Sequence, residues 1–95
     1  MIKLNNIHPG EILKEEFLIP MEITAYRLSK SIGIPQTRTS QILKGNRGIS
    51  VDTALRFSKF FGNSVQFWLG IQNDYEIEEQ KLKIKDILEQ IETVN

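Results

Sequence analysis

An all-α fold is predicted, and three observations carry the prediction. Apolar residues recur at spacings of three and four, the period of a helix face. Glycines that stop helices, and Ser, Thr and Pro residues that start them, divide the chain into short segments. No segment reads as a strand. The 95 residues suit one domain with one core: five helices over residues 1–76, and a helical extension of the same domain over 77–95.

Residues 1–7 are a polar lead-in. His8-Pro9-Gly10-Glu11 then opens helix 1, with His8 as N-cap or first-turn residue, Pro9 at the first helical position and Glu11 near the positive end of the dipole. Ile12, Leu13 and Phe17 form its apolar stripe, Lys14, Glu15 and Glu16 lie outside, and Pro20 ends it. Thr24 caps helix 2, which runs over about 25–32 with Leu28 and Ile32 on one face. Gly33 stops it, since a residue without Cβ takes the left-handed conformation of a tight exit. Pro35 suits the first turn of helix 3, which reaches about Leu43 and is ended by Gly45.

Asn46-Arg47-Gly48 is a loop. Ser50 caps helix 4, Asp52 sits in its first turn, and Val51, Ala54, Leu55, Phe57 and Phe61 are its expected buried face, with Gly62 at its end. Asn63 or Ser64 caps helix 5, where Val65, Phe67, Trp68, Leu69 and Ile71 pack. From Tyr75 the composition turns acidic. Ile77, Gln80, Ile84, Ile87, Ile91 and Val94 alternate spacings of three and four, a coiled-coil-like seam with one polar position. Such a short seam needs a partner.

Composition excludes several classes. There are no cysteines and one histidine, which removes disulfides and leaves no basis for a metal site. The serines and the lone His8 have no partner pattern for nucleophilic catalysis, and no glycine-rich phosphate loop is present, so neither an enzyme nor a bound cofactor is expected. No apolar run approaches a membrane span and no signal-peptide core is visible, which makes the cytoplasm the expected location. Formal net charge is zero, but it is unevenly spread. Residues 24–59 hold Arg27, Lys30, Arg38, Lys44, Arg47, Arg56 and Lys59 against Asp52 alone, a net +6, while the segments before and after are acidic.

The basic segment coincides with helices 2 and 3. Two short helices joined by a tight turn containing glycine form a helix-turn-helix, whose second helix enters the DNA major groove. If Leu28 and Ile32 meet Ile34, Thr39 and Ile42 inside, helix 3 shows Gln36, Thr37, Arg38, Ser40, Gln41 and Lys44 outside. Arg can fork onto guanine and Gln onto adenine, while Thr offers a hydroxyl or a methyl contact. Gln36, Thr37, Arg38 and Gln41 are the candidate base readers. Thr24, Arg27, Ser40, Lys44, Asn46 and Arg47 are the candidate phosphate contacts, which set register and salt dependence.

Three stretches resemble one family: HPGEILKEEFLIPMEIT, LSKSIGIPQTRTSQILKGNRGIS and DTALRFSKFFGNSVQFWLGIQNDYE. They are similar to the HigA-type antitoxins of bacterial toxin–antitoxin operons, small members of the lambda-repressor-like (Xre-type) helix-turn-helix group. The resemblance covers residues 7–76. The opening HPGE-I-L and the FWL-x-x-Q-x-x-Y ending narrow it to the subfamily. It implies a five-helix lambda-repressor-like domain and a homodimer that represses its own operon at a palindromic operator. It also implies a RelE-like (HigB-type) mRNA-cleaving toxin as partner, silenced by complex formation.

The family's frequent P-x-x-R pattern falls on Pro35 and Arg38, and its Gly-x-Arg-Gly-Ile exit on Gly45, Arg47, Gly48 and Ile49. Two positions depart: Thr39 stands where an aliphatic residue is usual, and Ser29 where Ala is usual. Thr39 then needs a partner near the core, expected to be a carbonyl of the preceding turn. Phe67, Trp68 and Ile71 of helix 5, with Ile84, Ile87 and Ile91 of the seam, are the candidate dimer contacts. Two other readings stay open: a stand-alone phage- or plasmid-type repressor, and a toxin-neutralising module without DNA binding.

Overall fold

The computed structural model describes residues 6–94; of the lead-in, residues 1–5 lie outside the described part, as does Asn95. Helix α1 begins at Pro9, and the Nδ1 of His8 caps it by accepting from the Gly10 N–H at 2.9 Å. Only Pro9–Ile12 is α-helical; Leu13–Leu18 continues as a π-helix. Bonding five residues back widens each turn, so Leu13, Phe17 and Leu18 share a face. Leu13 and Leu18 are buried, and Phe17 packs against the core. The stripe expected on helix 1 therefore gains Leu18, which an α-helical period had left out.

Helix α2 spans Ala25–Ile32, capped by the Thr24 hydroxyl, which accepts from the Arg27 N–H at 3.0 Å. Gly33 ends it at φ 73°, in the left-handed region. Helix α3 spans Gln36–Leu43. Pro35 is its extended N-cap rather than its first helical residue, one position outside the place expected from sequence. Helix α4, Val51–Phe61, starts from the Ser50 hydroxyl, which accepts from the Thr53 N–H. Helix α5, Val65–Lys83, starts from Ser64, whose Oγ accepts from the Phe67 N–H. Asn63 has a different task, accepting from the Trp68 indole N–H at 2.8 Å.

The core lies where α1, α2, α3, α4 and the first half of α5 meet. Leu13, Leu28, Ile42, Ala54, Phe57 and Trp68 are fully buried there. Phe17, Phe57 and Phe61 all lie 4.8–5.7 Å (ring centroids) from Trp68, in tilted or edge-on arrangements that aromatic quadrupoles favour. On α4 the expected buried face is narrower than the apolar pattern: Ala54 and Phe57 are inside and Phe61 partly so, but Val51 and Leu55 are exposed. Helix α4 packs chiefly on α5 and α2, with Phe61 against Phe17, and Val51 and Leu55 lie outside those contacts.

The seam is not one continuous helix. Helix α5 runs unbroken past Tyr75, where the composition turns acidic, and through residue 77, where the extension was expected to begin, to Lys83. The chain then bends at Ile84 (φ −114°, ψ 22°), forms α6 over Lys85–Glu89, and leaves helical structure. Ile77, Ile87, Ile91 and Val94 are each more than half exposed. A heptad pattern alone does not hold a helix when nothing packs on its apolar stripe.

Candidate nucleic-acid interface

The helix pair is held by three devices. The first is polar and buried. Ser29 Oγ lies 2.6 Å from Thr39 Oγ1 and 2.9 Å from the Ala25 carbonyl oxygen. Both residues are buried, and the two contacts use the two available protons when Thr39 donates to Ser29 and Ser29 donates to Ala25. The expected carbonyl partner of Thr39 is thus replaced by the Ser29 hydroxyl, and the two departures from the family pattern form one pair. No buried side-chain N or O atom among the described residues lacks a partner.

The second device packs α1 against α3. A Cβ built on Gly10 would stand 1.8 Å from the Ile42 carbonyl oxygen, so only glycine permits the approach. The third holds the loop after α3. Gln72 is buried, accepts from the Ile49 N–H at 2.7 Å and donates to Glu76 at 2.9 Å. The glutamine of the FWL-x-x-Q-x-x-Y sequence therefore anchors the chain leaving α3. Tyr75, the last residue of that sequence, packs edge-on against His8 at 4.8 Å. Burial holds the His8 pKa below its ordinary value.

These devices present the outer face of α3. Gln36, Thr37 and Gln41 are exposed, and with Ser40 and Ala25 they line one shallow groove. Arg27, Lys44, Asn46 and Arg47 are exposed near the two ends of the pair, as is Thr24, whose hydroxyl also serves as the α2 cap. Arg38 differs from the rest. Its Nη1 donates to Asp52 Oδ2 at 3.1 Å, and the same oxygen accepts from Arg56 Nε at 3.0 Å. Arg56 Nη1 in turn donates to the carbonyls of Ile32 (2.7 Å) and Gly33 (3.2 Å) at the end of α2. The hydrogen bond from Arg56, then the charge of Arg56 and the contact with Arg38, lower the Asp52 pKa.

Sequence reading had counted Arg56 only as charge and Asp52 only as a first-turn acid. The i, i+4 spacing of Asp52 and Arg56 on one helix was the available signal; their contacts with α2 and α3 had none. The candidate dimer contacts are also separated. Trp68 is withdrawn, because it is fully buried in its own core and has no surface for a partner. Phe67 is 38% exposed, Ile71 and Ile84 are half-buried, and Ile87 and Ile91 are exposed. Among the described residues there is no cluster of potential metal ligands, and no helix is long and apolar enough to cross a membrane.

No protein-family model matches the chain. Individual proteins do. The antitoxin HigA of Pseudomonas aeruginosa, solved with the higBA promoter, superposes with a TM-score of 0.92 at 34% identity, covering 96% of this chain and 100% of that one. A HigA-family addiction module antidote protein from Coxiella burnetii matches with a TM-score of 0.89 at 41% identity, over 96% and 100% of the two chains. The chain belongs to the HigA antitoxin family. Virulence-associated protein I of Dichelobacter nodosus is 42% identical over 85 residues, 86% of this chain and 79% of that protein. HigA-family antitoxins are helix-turn-helix regulators and not enzymes.

Proposed function

We propose that this protein is an antitoxin that represses its own operon by sequence-specific DNA binding as a dimer. In the same reading it neutralises a RelE-like (HigB-type) mRNA-cleaving toxin by direct complex formation in the cytoplasm. The observation that carries the DNA part is the outer face of α3. It projects Gln36, Thr37 and Gln41 into solvent at the centre of the chain's positive charge, and the P. aeruginosa relative was solved with promoter DNA. Gln36, Thr37, Arg38 and Gln41 read base edges; Thr24, Arg27, Ser40, Lys44, Asn46 and Arg47 hold phosphates.

A palindromic operator calls for two copies of α3 about 34–36 Å apart, hence a two-fold dimer. Phe67 and Ile71 on α5, with Ile84, Ile87 and Ile91 beyond it, are the surfaces proposed for that contact. Support for the toxin half comes from family membership together with apolar side chains left uncovered on the extension.

Two experiments test the reading. Co-expression with the adjacent gene, followed by co-purification, should yield a complex; separate elution of the two products would remove the toxin. In a gel shift with the DNA upstream of its own gene, Arg38→Ala should weaken operator binding by about 1–3 kcal/mol while sparing toxin binding. Arg47→Ala should instead weaken binding to all sequences alike and flatten its salt dependence. An unchanged titration with Arg38→Ala would remove that residue's role.

A further inference from the structure

We propose that Asp52 is the positioning residue for DNA reading: it aims the Arg38 guanidinium at one base edge and thereby sets how well the protein separates its operator from other DNA. The inference rests on Arg38 being a base reader. The structure supplies a continuous chain of bonds behind that side chain. The carbonyls of Ile32 and Gly33 hold Arg56, Arg56 holds Asp52, and Asp52 holds Arg38 through one oxygen. The frame therefore begins at the end of α2, passes through α4 and ends at the first turn of α3. The frame thus ties the side chain of Arg38 to both helices of the helix-turn-helix pair and to α4.

The geometry leaves Arg38 able to work. Asp52 takes one of five guanidinium donors, and the others remain for the O6 and N7 acceptors of a guanine. A long side chain otherwise sampling several rotamers is presented with most of its ordering already done. Stability is a weak explanation for the pair, because both partners are solvent-accessible (28% and 57% of the side chains) and exposed ion pairs contribute little to folding. Asp52 has a second effect, which is uniform over sequences. As the lone acid of the basic segment 24–59, it lowers attraction to any phosphate backbone without regard to sequence. Because that charge effect lowers binding to every sequence alike, the ratio of operator binding to non-specific binding reports the aim of Arg38.

The test uses the full chain and a duplex that the wild-type protein selects from a random pool, titrated beside a scrambled duplex of equal length. Asp52→Ala should bind the scrambled duplex several-fold more tightly and the operator no more tightly, so that the ratio falls about tenfold. In the Arg38→Ala background the ratio should not respond to Asp52→Ala, since only the uniform charge effect remains. An unchanged ratio for Asp52→Ala in the otherwise wild-type protein overturns the proposal, and so does an equal fall in both backgrounds. If Arg38→Ala itself leaves the ratio unchanged, the base-reading role fails and the positioning role with it. Selection of no sequence by the wild type overturns DNA reading as a whole. Asp52→Asn, which keeps the side-chain shape, provides a second variant, and an unchanged thermal midpoint separates loss of aim from loss of fold.

Discussion

The helix-turn-helix and the C-terminal extension both carry helical patterns, yet they are built on opposite terms. In α2 and α3 the core-facing residues Leu28 and Ile42 are buried and Ile32 and Leu43 partly so, and α2 is capped by Thr24 at its start and ended by Gly33. In the extension the apolar residues Ile77, Ile87, Ile91 and Val94 face solvent, and the helix breaks at Ile84. Propensity and periodicity are comparable in the two regions; tertiary neighbours are not. A helical pattern becomes a held helix only where other elements close over its stripe.

Substitutions can break this contrast. The largest loss should follow Gly10→Ala, whose new Cβ meets the Ile42 carbonyl: about 3 kcal/mol of unfolding free energy, from overpacking at the α1–α3 contact. A urea midpoint like that of the wild type would mean that α1 is not tightly seated on α3. Next is Ser29→Ala, which leaves the buried Thr39 hydroxyl without its partner and should cost about 2 kcal/mol. The double variant Ser29→Ala/Thr39→Val should recover most of that loss, because both polar groups leave together. Additive losses in the double variant would show that the two hydroxyls are not coupled.

A smaller effect should come from pH. The His8 cap works only when Nδ1 is unprotonated, and burial lowers its pKa in the folded chain. The unfolded chain therefore binds this proton more readily. The stability His8 contributes is complete above its ordinary value of 6.5 and is lost as pH falls through the lower folded value. Melting followed between neutral and mildly acidic pH should show the decline, and His8→Asn, a cap without a proton to gain, should flatten it. The smallest effect belongs to the extension. Ile91→Ala should change the stability of the isolated chain by less than about 0.5 kcal/mol. A larger change in the dimer or in a toxin complex, measured by sedimentation or binding titration, would identify the neighbour that Ile91 lacks here.

Much of the DNA-facing half was legible in the residues. Gly33, Gly45 and Gly62 end three helices with positive φ, and Thr24, Ser50 and Ser64 cap the helices that follow them. Such signals are local: a missing Cβ or a nearby hydroxyl acts within one turn. The exposure of Gln36, Thr37 and Gln41 followed from placing Leu28 and Ile42 inside. The π-helical stretch after α1 was not legible, because it depends on a core that accepts both Phe17 and Leu18 beside Leu13. The burial of Trp68 was legible as a packing residue of helix 5, and the structure buries it fully, but its second reading as a dimer contact could be set aside only once its neighbours were known.

By itself, the sequence determined an all-α chain, the ends marked by Thr24, Gly33, Ser50, Gly62 and Ser64, the concentration of positive charge over 24–59, and the resemblance to HigA-type antitoxins. Each depends on residue type and short spacing. Tertiary structure alone decided that Ser29 and Thr39 satisfy each other across ten residues, that Gln72 holds the exit of α3, and that Arg38 stands against Asp52 and Arg56. These contacts join separate helices, and a side chain's partner across a fold depends on where the backbones are placed. It also decided that Ile77, Ile87, Ile91 and Val94 find no cover among the described residues, because burial requires a second surface.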